Sequence, residues 1–490
     1  MSDNKHERTP FFSALENYAE SDIAPFDVPG HKLGRLNDEF TSRVGENAMR
    51  MDANLPRGLD NLNHPKGVIK EAQNLMADAF GADYAFFLVN GTSVGIITMI
   101  MAIVSAHEKI IMPRNVHKSA ISGLILSGAV PVFVAPEIDD ELGIANGVSY
   151  EAVENAIQEH PDAKAIYIIN PTYFGVVSDA KRIIDLAHEH QMAVIMVEAH
   201  GSHFAFSPLL PPHGISLGAD LTTGSIHKTG GSLTQSSVLL MRENPYVTPM
   251  IVQTILSMLQ STSPSNLLLA SLDVARKNLY FHGETLLQQT IELAHYACNR
   301  INEIPGFQAY PDEYFLQKGS MGHDCTKLII RVNDLGFSGF EIFNMLRDKY
   351  SIQMELAETY VVLGVFSIGT DERSVERLIN ALEEISYDYF GERDRYLVPK
   401  FHYGFPLFAV RPREAFHAPE KYVLLSDSLG EIAAESVMIY PPGIPLVIPG
   451  EIISEEFLDM LDEYDRQGST LITELGNGYI KIVDQENWHR

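Results

Sequence analysis

The chain is poor in cysteine: its 490 residues contain two, Cys298 and Cys325. Two thiols cannot build a disulfide framework or a Cys-rich metal centre, and free thiols fit a reducing cytoplasm. Positive charge is scarce as well. With 36 Lys and Arg against 64 Asp and Glu, the formal net charge is -28, which repels a phosphate backbone and argues against nucleic acid as a partner. The opening MSDNKHERTPFF lacks the apolar core of a secretion signal. The most apolar stretch, Ala85 to Ala106, is broken by Asn90, Gly91, Thr92 and Ser93. It therefore reads as a strand, a turn and a buried helix, not as a membrane span. There is no internal repeat, no low-complexity segment, no G-x-G-x-x-G, no Walker loop and no H-E-x-x-H.

What is present is a soluble globular composition, 45% hydrophobic and 20% charged, on a chain long enough for two or three domains. KIIMP (109–113), VPVFVA (130–135), AKAIYIIN (163–170) and AVIMV (193–197) are apolar strand candidates. Helical patterns such as YEAVENAIQEH and SDAKRIIDLAHEH lie between some of them. Apolar strands alternating with helices predict a mostly parallel sheet covered on both faces, an α/β fold. Further on, the strand-like TKLIIRV and the helical FEIFNMLRDKY and SVERLINALEEI predict a smaller α+β domain. From about Leu397 prolines and glycines cluster, as in YPPGIPLVIPGE, which predicts an irregular C-terminal unit.

In such a sheet, chemistry belongs in the loops beyond the carboxyl ends of the strands. VNGTSVG (89–95) places Thr92 and Ser93 at a helix N-terminus, where unpaired N–H groups and the helix dipole favour a phosphate. The same residues also suit an ordinary helix cap. RNVHKSA puts His117 after a strand, where an imidazole can stack on a ring, transfer a proton or simply cap a helix. VIMVEAHGSHF gathers Glu198, His200 and His203, but without the spacing of a zinc helix, so a metal is not expected there. In DLTTGSIHKTGGSLTQSS, Lys228 stands among small residues, after Ser225 and His227. An amine in so tight a loop suits nucleophilic attack on an aldehyde. A phosphate cradle, a stacking imidazole and a reactive amine together match pyridoxal 5'-phosphate better than a nucleotide or a metal.

The segments FDVPGHKLG, HPKGVIKEAQ, NGTS, PRNVHKS, NPTYFGV, EAHGSH, SIHKTGGSLTQSS and YPPGIPLVIPGE resemble those of the ornithine/lysine/arginine decarboxylases, over nearly the whole chain. The likeness is to the short bacterial form, similar to biosynthetic arginine decarboxylase. It implies the aspartate-aminotransferase fold in four parts: an arm (1–25), a cofactor-binding large domain (26–285), a small α+β domain (286–395) and a C-terminal domain (396–490). It implies pyridoxal 5'-phosphate carried by Lys228, with Thr92, Ser93 and Ser225 on the phosphate. His117 would stack on the ring, His227 would sit beside the reacting carbon, and His200 would line the pocket. It also implies a basic amino acid as substrate, arginine ahead of lysine or ornithine, in a cytoplasmic enzyme of polyamine biosynthesis that assembles as dimers or larger homo-oligomers. In such assemblies Pro29 to Lys32 and the loop Pro441 to Gly443 could complete a neighbour's pocket. Glu435 and Glu451 are carboxylates that could face a cationic substrate or stand solvated at the surface. One position departs from the pattern: the family's strand usually ends Val-Asp-Glu-Ala-His, its Asp paired with the pyridine nitrogen, and here Val197 stands in place of that Asp. The departure leaves two readings, a competent decarboxylase and a relative with altered or lost chemistry.

Overall fold

A computed structural model of the protein describes residues 3–36, 38–398, 407–440, 444–467, 469–476 and 478–488. In chain order the principal elements begin with α1 (Pro10–Glu20), β1 (Tyr84–Leu88), α2 (Gly91–Ile103), β2 (Lys109–Pro113), α3 (Lys118–Ser127) and β3 (Val130–Val134). Next come α4 (Tyr150–Glu159), β4 (Ala165–Ile169), α5 (Ala180–Glu189), β5 (Ala193–Val197), β6 (Leu221–Gly224), the short α6 (Ile226–Thr229) and β7 (Ser237–Met241). They end with α7 (Asn266–Ile301), α8 (Asp312–Gln317), β8 (Lys327–Arg331), α9 (Gly339–Tyr350), β9 (Val361–Val365) and α10 (Glu372–Tyr389). Each predicted strand and helix overlaps one of these elements. Several starts follow local chemistry: the side chains of Ser149, Asp179 and Asp371 accept N–H groups of the first turns of α4, α5 and α10. Ser338 and Glu341 form a reciprocal capping box on α9.

The chain forms two compact units, Met1–Ile103 with Ala193–Gln289, and Val104–Met192 with Thr290–Arg490. In the first, β1 pairs antiparallel with β7, β7 antiparallel with β6, and β6 parallel with β5. The sheet is therefore mixed, because β7 returns directly after the loop 225–236. β5 and β7 are buried at every position, as strands covered on both faces must be. Within α7, Asp273 and Arg276 form an ion pair at 2.9 Å with no exposure at either side chain, and Arg276 Nη1 fastens the N-terminal segment by donating to His6 O at 2.7 Å. Asp273 also accepts the N–H groups of Phe11 at 2.9 Å and Phe12 at 3.3 Å. It thereby caps α1 from another helix, where Thr9 makes no side-chain cap of its own.

In the second unit β2 runs parallel to both β3 and β4. A separate antiparallel sheet places β8 between Gln308–Ala309 and β9. Its core joins Ile330 and Val362 to Leu346 of α9 and Leu382 of α10. Towards the C-terminus, Glu420–Leu424 pairs with Tyr479–Val483, and Val437–Tyr440 lies between Ile444–Val447 and Thr470–Ile472. The loop Pro441 to Gly443 lies outside the described residues.

Glu435 and Glu451 are neither solvated nor offered to a cation from outside. Glu451 is fully buried and accepts from Arg114 Nε at 3.1 Å, Arg114 Nη2 at 2.8 Å and the Ile448 N–H at 2.9 Å. Glu435 is buried and accepts the N–H groups of Glu474 at 2.5 Å and Lys481 at 2.6 Å. Both hold the C-terminal segment together. Burial pushes both carboxyls above the usual carboxylate range, opposed at Glu451 by the Arg114 guanidinium.

Glu358, between Leu356–Ala357 and β9, is partly buried, and desolvation of its carboxyl pushes it up to about 8. A raised carboxyl favours the fold fully below its unfolded value of 4.5, and that contribution is lost as pH rises to about 8. The expected slope is about 1.4 kcal/mol of stability lost per pH unit across this window. Glu358→Gln should flatten it. Denaturant midpoints for both proteins between pH 5 and pH 8 check this, and parallel slopes would refute it.

Candidate active site

The strand directions of the first unit gather the site. Because β7 runs antiparallel to both β1 and β6, those two run the same way, and β5 runs with them. The residues after Leu88, Val197 and Gly224, together with Ser237 at the start of β7, therefore share one edge of the sheet.

At that edge Gly91, with φ +69°, makes the turn into α2 and donates its N–H to Gln235 O at 2.8 Å. Gln260 holds the chain two residues earlier, its Oε1 accepting the Val89 N–H at 2.8 Å. Gly95 lets α2 lie close against the sheet. A Cβ there would stand 2.3 Å from Thr223 Oγ1 and 2.9 Å from Leu88 Cδ1. This close approach brings Thr92 Oγ1 to 2.5 Å from Ser225 Oγ and 3.1 Å from Ser237 Oγ. Three buried hydroxyls thus meet at the N-terminus of a 13-residue helix, an arrangement that fits a phosphate. Ser93 is the next residue of that first turn and is partly exposed.

Lys228 lies on α6, and its Nζ stands 2.7 Å from His200 Nε2. The loop beneath is fixed by Ser202 Oγ, which donates to Ser225 O at 3.0 Å and lies 3.0 Å from Thr229 Oγ1. His227 Nδ1 lies 2.8 Å from Ser236 O. A carbonyl can only accept, so Nδ1 carries a proton. The structure therefore brings Thr92, Ser93, His200, Ser225, His227 and Lys228 to one edge of one unit.

His117 belongs to the second unit. It is the N-cap of α3, where its Nδ1 accepts the Ser119 N–H at 3.2 Å and lies 2.9 Å from Ser119 Oγ. Of the loop Pro29 to Lys32, His31 Nε2 meets Asp52 Oδ2 at 3.0 Å. Ser237, Ser202 and Gln260 were missed by the sequence reading. Ser237 closes the quoted run SLTQSS and could have been found there, but only strand register shows that it faces Thr92.

Val197 ends β5, buried, with no acceptor on its side chain. The neighbouring Glu198 is fully buried and committed elsewhere. It accepts the Gly214 N–H at 2.7 Å, and its other oxygen lies 3.0 Å from His213 Nε2.

A mixed sheet in which β1, β5 and β6 run the same way, with a lysine and a hydroxyl cradle at the carboxyl edge of those strands, is an α/β fold of the aspartate-aminotransferase class. Comparison with solved structures agrees: lysine decarboxylase LdcF of Francisella novicida superposes with a TM-score of 0.83 at 22% identity, covering 97% of this chain and 81% of that one. The Escherichia coli constitutive lysine decarboxylase gives 0.82 at 21% identity, covering 98% and 82%. The family models for the Orn/Lys/Arg decarboxylase major domain and C-terminal domain match residues 9–374 and 399–469. The arginine decarboxylase of Bacillus subtilis is 46% identical over 459 residues, 92% of each chain. That of Halalkalibacterium halodurans is 46% identical over 467 residues, 95% of each. The chain belongs to the Orn/Lys/Arg decarboxylase family, and is an enzyme of the pyridoxal-phosphate-dependent decarboxylase type.

The hydroxyl cradle generates a prediction. Ser225→Ala removes one of the three hydroxyls and leaves Thr92 without its shortest contact. Cofactor affinity, measured by equilibrium dialysis, should fall about tenfold, the equivalent of about 1.4 kcal/mol. Unchanged affinity would remove Ser225 from the cradle.

Proposed function

We propose that this protein decarboxylates L-arginine to agmatine and carbon dioxide, with pyridoxal 5'-phosphate held at the Lys228 edge of the first unit. The observation that carries the reading is the Lys228 amine, 2.7 Å from His200 and beside the Thr92, Ser225 and Ser237 hydroxyls, in a chain of this family. When bound, pyridoxal phosphate supplies an electron sink for the pair left behind as carbon dioxide departs. Thr92, Ser93, Ser225 and the first turn of α2 hold its phosphate. Lys228 anchors its aldehyde end, and His200 Nε2 steadies Nζ or takes a proton from it. His227 is oriented by the Ser236 carbonyl. His117 is assigned the ring-stacking role. Arginine is preferred because relatives at 42% to 46% identity carry that name. The remaining parts of the reading are a cytoplasmic biosynthetic role, self-association as a dimer or larger homo-oligomer, and the four-part division 1–25, 26–285, 286–395 and 396–490. Among the described residues no helix is long and apolar enough to cross a membrane.

Carbon dioxide and amine release measured across arginine, lysine and ornithine tests the substrate, and release highest on lysine or ornithine would displace arginine. Lys228→Ala tests the amine: it should lose the visible absorption of the lysine-bound cofactor and its borohydride-reducible adduct. An adduct that survives in the variant would show that another amine carries the cofactor.

The fit has one gap. Val197 offers no acceptor to a ring nitrogen, and the Glu198 carboxylate is taken by Gly214 and His213. A carboxylate at 197 would keep that nitrogen protonated and strengthen the electron sink. Val197→Asp should therefore raise kcat by about tenfold or more, ~1.4 kcal/mol of barrier. If it adds nothing to an unaltered protein already working at ordinary rates, the ring nitrogen does not limit this enzyme.

A further inference from the structure

We infer that His295, Asp312 and Cys325 form a binding site for a borderline-soft divalent cation of the zinc type. The three come from separate elements of the second unit: His295 from α7, Asp312 from the first position of α8, and Cys325 from the segment just before β8. One ligand atom from each lies within 4.8 Å of the other two.

The donor set narrows the ion. Magnesium and calcium take oxygen donors, whereas a thiolate with an imidazole and a carboxylate suits zinc and its neighbours. Bonds of about 2.0 Å to nitrogen and oxygen and about 2.3 Å to sulfur put tetrahedral donors roughly 3.3–3.6 Å apart. The cluster therefore has to close by about an ångström. His295 is exposed and on a helix surface, so rotation of its side chain can supply that closure.

The other groups nearby favour this use. Asp312 Oδ1 lies 2.8 Å from His323 Nδ1, while His323 Nε2 lies 2.9 Å from Phe174 O and the ring stacks on Phe315 at 4.1 Å. His323 is thus locked in place and aims the carboxylate, the part an outer partner plays around a metal ligand. Asp324 is excluded as a ligand because Lys327 Nζ at 2.6 Å and Thr326 Oγ1 at 2.6 Å already hold it. With three protein donors, water completes the tetrahedron. Binding replaces the Cys325 S–H bond by a sulfur–metal bond and releases that proton to solvent. The ion would tie the C-terminal part of α7 to the segment 312–325. This site serves no step at Lys228.

The test is zinc added to the cofactor-loaded protein and titrated against a competing chromogenic chelator, with X-ray absorption at the zinc edge. The expected result is about one zinc per chain, with one sulfur at about 2.3 Å and nitrogen or oxygen at about 2.0–2.1 Å. Cys325→Ser and His295→Ala should each weaken binding at least tenfold, and Asp312→Asn likewise. Unchanged zinc affinity in Cys325→Ser overturns the inference. So does the absence of a sulfur shell in the unaltered protein, a measurement that needs no variant to fold.

Discussion

The site depends on the direction of one strand. β7 runs opposite to both β1 and β6, so the chain leaves β1 and β6 at the same edge and enters β7 there. Were β7 parallel, Ser237 would lie at the far edge, and Thr92 would lose a neighbour. The antiparallel return also keeps the loop 225–236 short, and a short loop beginning at Ser225 must carry Lys228 close to the sheet. Gly95 completes the arrangement by letting α2 approach to a distance that any Cβ would forbid. The hydroxyl cluster is a product of backbone direction and one absent side chain.

The buried carboxylates are spent on architecture. Asp273 caps α1 and pairs with Arg276, Glu451 pairs with Arg114, and Glu198 holds Gly214 and His213. Removing one partner of a buried pair leaves an uncompensated charge and costs about 3–5 kcal/mol. Such groups are poor candidates for recruitment to a substrate. The chain is strongly acidic overall, yet the carboxylates that attract notice in its sequence are internal ties.

The same logic bears on the end of β5. Glu198 follows the last residue of β5, and its two oxygens are engaged away from the position Val197 occupies. Glu198 turns to Gly214 and His213, and Val197 presents a methyl surface.

The sequence by itself determined the α/β class, the strands and helices of the large sheet, the break within 85–106, the loops that carry chemistry and the family. Each of these is written locally: in apolar runs bounded by turn residues, in capping side chains, and in short motifs whose residue types are dictated by the group they touch. The sequence also placed Val197 where an aspartate was expected. Only the tertiary structure decided that Ser237 and Ser225 converge on Thr92, that Lys228 faces His200, and that Glu435 and Glu451 lie inside. It alone brought His295, Asp312 and Cys325 together. The physical reason is that these contacts join residues far apart in the chain, through strand register and helix packing. Neither periodicity nor motif spacing encodes where a side chain from another element will come to rest.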